Sequence, residues 1–92
     1  MPDTKGRLTR TQVMFLFESI AIRDHYFQMR YKKYRKKEAE AVDAGNDERY
    51  INMYQRERIK ARKDLELTRA MHTQMVSVFG SDPYRDFVMD TL

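Results

Sequence analysis

The chain has no cysteine, only three glycines and two prolines, and no long hydrophobic run. Without cysteine there are no disulfide staples and no thiolate chemistry, a usage that fits a reducing compartment. The three glycines stand alone, which excludes a glycine-rich phosphate loop. The most apolar stretch, Val13 to Ile22, carries Glu18 in its middle. It is about half the ~20 residues that a membrane span needs. No secretory signal is visible, and the expected setting is soluble and cytoplasmic.

What is present is charge and helix-forming side chains. Charged residues make up 35% of 92 residues, and Lys+Arg outnumber Asp+Glu by 18 to 14, a net +4. That excess is compatible with a polyanionic partner but too small to demand one. Helix formers with so little glycine and proline point to an all-α chain, read here as one helical domain over residues 1–92.

The punctuation divides it. Residues 1–8 have no period and read as a flexible arm. Thr9 followed by Gln12 is a capping-box pattern, with Thr11 a competing cap, and no Gly or Pro interrupts the chain until Gly45. Helix 1 is therefore expected over about 10–44, a rod of roughly 50 Å at 1.5 Å per residue. Gly45 suits a helix end, Asn46 or Asp47 caps the next helix over about 47–79, and Gly80 stops it. Asp82 and Pro83 then start a short third helix over about 83–91.

The apolar stripes predict how these pack. Val13, Ile20, Phe27, Tyr34 and Ala41 recur every seven residues, flanked by Leu16, Phe17 and Tyr31. Ile51, Tyr54, Ala61, Leu65, Thr68, Met75 and Phe79 follow three- and four-residue spacing, with Arg58 and His72 on the same seam. A tight connection makes the two long helices an antiparallel, coiled-coil-like hairpin, with Leu16 facing Met75, Phe27 facing Leu65 and Ala41 facing Ile51. Near the termini helix 1 is apolar almost all round, so burial on more than one side is expected: partly by helix 3, partly by a second copy in a homodimeric helical bundle, with a monomeric three-helix unit as the alternative.

Two surfaces are candidates for function. The first is a basic neck: Arg30, Lys32, Lys33, Arg35, Lys36 and Lys37 on helix 1 beside Arg56, Arg58, Lys60, Arg62 and Lys63 on helix 2. Interleaved tyrosines, Tyr26, Tyr31, Tyr34 and Tyr54, are able to stack on unpaired bases, and the neck then tracks RNA or DNA phosphates or an acidic protein surface. The plainer explanation is a solvated helix face, with Lys36–Glu40, Lys60–Asp64 and Arg62–Glu66 as one-turn ion pairs and Arg58 lying over Tyr34. Against that explanation, Arg30, Lys32 and Lys33 have few acids near them in sequence and face a positive partner helix. The second surface is the soft apolar end: Met14, Phe15, Phe17, Met71, Met75 and Phe79 with Tyr84 and Phe87, suited to docking on protein; the plainer explanation there is core.

Catalysis and cofactors are not expected. His25 and His72 are too far apart to share a metal, no nucleophile–base pair stands out, and thin hairpins offer poor pockets. The sequence thus favours a non-enzymatic adaptor or inhibitor docking on a larger assembly, possibly nucleic-acid machinery. Direct nucleic-acid binding is the alternative.

Overall fold

The computed structural model describes residues 7–91; most of the expected N-terminal arm, residues 1–6, lies outside them, as does Leu92. Three helices follow in order: α1 (Arg10–Asp43), α2 (Glu48–Phe79) and α3 (Pro83–Thr91). α1 and α2 pack antiparallel along their length, and α3 folds back onto α1.

Local chemistry sets each end. The Gln12 N–H donates to Thr9 Oγ1 at 3.1 Å, and the Thr9 N–H donates to Gln12 Oε1 at 2.8 Å, so two otherwise orphaned donors are satisfied reciprocally. At the other end of α1 the Gly45 N–H reaches the Val42 carbonyl and the Asn46 N–H reaches that of Ala41. This double closure needs a left-handed residue between the last turn and the loop, and Gly45 supplies it at φ +66°. Asp47 caps α2 by accepting the Arg49 N–H at 2.9 Å. That bond, with the Arg49 side chain, holds the Asp47 carboxyl below its ordinary range. The cap's contribution is thus present above the usual aspartate pKa and fades as pH falls through the lowered one. Gly80, φ +83°, ends α2, and Asp82 caps α3 through the Arg85 N–H at 2.9 Å. Gly45→Ala is expected to cost about 1–2 kcal/mol from left-handed strain alone, since nothing lies within 4 Å of the added methyl; urea unfolding checks it.

The seam follows the two stripes. Val13, Phe17, Ile20 and Ala41 of α1 and Ala61, Leu65 and Thr68 of α2 are buried. The Thr68 hydroxyl donates to the Asp64 carbonyl at 2.7 Å, so its polarity is satisfied inside the seam. Phe17 is the largest fully buried side chain, 1% exposed, edge-on to Phe79 at 6.2 Å and to His72 at 5.7 Å. It belongs to the core of the hairpin itself and leaves the set expected at a protein interface. Leu16, expected on the seam, is instead 37% exposed and borders a shallow groove with Leu8 and Phe15.

The molecule measures 65 × 32 × 16 Å. Its thin dimension is little more than the ~10–12 Å diameter of one helix with its side chains. A single layer leaves every helix with open faces, so an all-round apolar segment of α1 cannot be enclosed.

Candidate interaction surfaces

The hairpin brings the two cationic segments of the neck side by side, but two of their members are already engaged. Arg30 donates to Glu57 at 2.6 Å and Arg58 to Glu38 at 2.6 Å, one pair from each helix to the other. These hydrogen bonds raise both guanidinium pKa values above the ordinary one, so the cations persist at every accessible pH. The expected cluster of unrelieved charge at Arg30 is therefore corrected: Glu57 is distant in sequence and adjacent in space. Arg58 likewise does not lie over Tyr34, because Glu38, one turn from the loop, draws it to the rim. Each pair is about one-quarter to one-third exposed. A double-mutant cycle on Arg30 and Glu57 is expected to give about 0.2–1 kcal/mol, read by chemical denaturation.

Other cations collect over an aromatic pair. Tyr34 and Tyr54 meet across the seam with centroids 6.2 Å apart. Arg30 and Lys33 sit over the Tyr34 ring at 4.9 and 5.5 Å, and Lys37 over Tyr54 at 5.7 Å. Both tyrosines are half-buried, which makes them the footing of the charges and removes them as open stacking platforms. Lys32, Lys33, Arg35, Lys36, Lys37, Arg56, Lys60, Arg62 and Lys63 are exposed. Among the pairs expected one turn apart, Arg62–Glu66 forms at 3.2 Å and Lys36–Glu40 only at 3.9 Å.

The apolar surface extends further than the sequence reading placed it. Phe15, Ile22 and Met29 recur every seven residues on the outside of α1, in step with Leu8 just before it, and all are exposed, Phe15 at 66% and Ile22 at 61%. Tyr26 adjoins them, and a shallow groove runs between Ile22, Tyr26, Met29 and Lys33. This second repeat runs beside the first, offset by two residues, and the two together make the segment apolar almost all round. On α2, Leu67, Met71 and Val78 form a comparable exposed line. Of the interface residues expected earlier, Phe15, Met71, Phe79 and Phe87 are exposed, while Met14, Met75 and Tyr84 are half-buried.

A cleft of about 370 Å³ lies where α3 meets the hairpin, walled by Phe17, Ile20, Ala21, Tyr84, Val88 and Met89. Asp24 and Arg69 pair at 3.0 Å on one rim. On the other, His72 Nε2 lies 2.7 Å from Asp82 Oδ2, so one carboxylate both caps α3 and ties it back to α2. His25 is exposed on α1, remote from that contact. Among the described residues no group of three His, Asp or Glu side chains is placed to hold a metal ion, and no helix is long and apolar enough to cross a membrane. No protein-family model, curated protein or solved structure is significantly similar to this chain.

Proposed function

We propose that the chain is a non-enzymatic docking protein, an adaptor or inhibitor that attaches to a larger assembly through the outer face of its helical hairpin. The supporting observation is the exposed repeat of Phe15, Ile22 and Met29, with Leu8 just ahead of it, on a helix whose opposite side is already filled. Scattered surface leucines are ordinary, whereas apolar residues repeating along one face of an ordered helix, here with Glu18 and His25 between them, form a contact surface. A second copy, expected to cover the apolar end of α1, would use this same face, while the exposed Leu67, Met71 and Val78 of α2 form a separate apolar line. A pull-down with tagged chain, with and without nuclease, is expected to recover a stoichiometric partner in both conditions. The same bait carrying Ile22→Asp is expected to lose it. Recovery of the chain alone contradicts this reading.

Direct nucleic-acid binding is the second reading, supported by the cations gathered over Tyr34 and Tyr54 and by the exposed lysines beside them. In that case affinity for single-stranded RNA or DNA falls steeply with salt, log K dropping by about 0.7 per phosphate contact per tenfold rise. Lys32→Ala with Lys33→Ala and Arg35→Ala then flattens the slope by about two. No binding at low salt removes this reading.

A further inference from the structure

Resting on the docking reading, we propose that the outer face of α1 receives an acidic amphipathic helix. The charges beyond the C-terminal end of the apolar line carry the choice of partner. Beyond Met29 the same helix face continues three, four and seven residues on into Lys32, Lys33 and Lys36. All three are exposed, and only Lys36 has an acid nearby, Glu40 at 3.9 Å. At the other end Arg7 and Leu8 precede the helix and Arg10 opens it, all exposed. The line is therefore apolar at Phe15, Ile22 and Met29, carries the exposed Glu18 between the first two, and is cationic at its C-terminal end. Phe15 to Met29 spans about 21 Å at 1.5 Å per residue, the length of a two-heptad contact.

A second copy paired through this same face meets its own charge. In a parallel arrangement Lys32, Lys33 and Lys36 oppose themselves; in an antiparallel one centred on Ile22 they fall near the exposed Arg10. Like charges across a helix interface oppose association, and acidic ones in their place favour it. A partner helix with leucine-like residues at its contact positions and Asp or Glu where it meets Lys32, Lys33 and Lys36 satisfies both the apolar residues and the cationic end.

The test is selection from a displayed library of about 21-residue amphipathic helical peptides, apolar positions fixed and flanking positions varied between Glu and Lys, against the full-length chain. The expected winners are rich in Glu. They lose binding on Ile22→Asp, which is too exposed a site to disturb the fold, and weaken about tenfold on Lys32→Glu with Lys33→Glu. Winners that are neutral or Lys-rich, yet still depend on Ile22, overturn the acidic partner while leaving the docking reading intact. No winners, together with a dimer by light scattering that Ile22→Asp makes monomeric, assigns the face to a second copy and also overturns the proposal. No winners and a monomer defeat both. Displacement of winning peptides by RNA at equal charge concentration, with retention of binding in Ile22→Asp, overturns the proposal in favour of a nucleic-acid face.

Discussion

Phe17→Ala is expected to destabilise the chain by about 3–5 kcal/mol, because it removes the largest buried side chain and leaves a cavity that rigid helices close only in part. A chain of 92 residues has roughly 5–14 kcal/mol to lose at ~0.05–0.15 kcal/mol per residue. The substitution thus removes a large fraction of the total, and the melting temperature is expected to fall by more than about 10 °C. Phe17 matters beyond its own area. Its ring is the surface on which Phe79, at the end of α2, and His72 both rest edge-on. His72 in turn holds Asp82, the cap of α3, so the cavity is expected to release α3 first. Phe15, two residues earlier and on the outside, is the matched control. Phe15→Ala changes stability by about 0.5 kcal/mol or less. Circular dichroism during urea and thermal unfolding compares the two; equal losses contradict the assignment of one ring to the core and the other to the surface.

Ala61→Phe has the second-largest expected effect. Ala61 is 1% exposed in the middle of α2, so the helices approach closely there and leave no room for a ring. Overpacking of this kind costs typically about 1–3 kcal/mol, and a well-packed seam between two straight helices puts this case at the upper end. The added bulk is expected to push the helices apart where Tyr34 meets Tyr54 and where the cross-helix pairs Arg30–Glu57 and Arg58–Glu38 are made. Tyrosine fluorescence and denaturant midpoint both report it. Ala39→Phe, exposed on α1, adds the same ring without the squeeze and serves as the comparison. Tolerance of Phe at position 61 contradicts close packing at the neck.

Much of this architecture is legible in the residues because it is set by local rules. Thr9 and Gln12 cap each other three residues apart, Gly45 takes the only conformation that closes α1 into a short loop, and Asp82–Pro83 starts α3. Each signal acts within one helical turn. The seam was equally legible, since a seven-residue repeat names its own face. What was not legible depends on distances between chain segments. Arg30 finds Glu57 and Arg69 finds Asp24 only after the hairpin has closed, and a one-turn shift in register breaks both pairs. The balance of charge at the neck could be counted in the sequence but not paired there. Asp82 reads as a cap in isolation; its second role, holding His72, follows from where α3 turns back. The outer heptad of α1 was obscured for another reason: two interleaved stripes on one helix look like general hydrophobicity until one of them is seen to be covered.

The central claim is that the chain doubles back at Gly45, filling one side of α1 and leaving the other bare. With no native cysteine, spin labels at Arg23→Cys and Thr73→Cys, both exposed sites near the open end, measure it directly by pulsed electron paramagnetic resonance. Helices packed ~8–10 Å apart carry labels a few tens of ångströms from each other, and the expected result is one narrow distribution near 20–30 Å that persists on dilution with unlabelled chain. A distribution centred near 75 Å, the length of an unbroken helix between those positions at ~1.5 Å per residue, or a short distance that vanishes on dilution, contradicts the hairpin and the surfaces built on it.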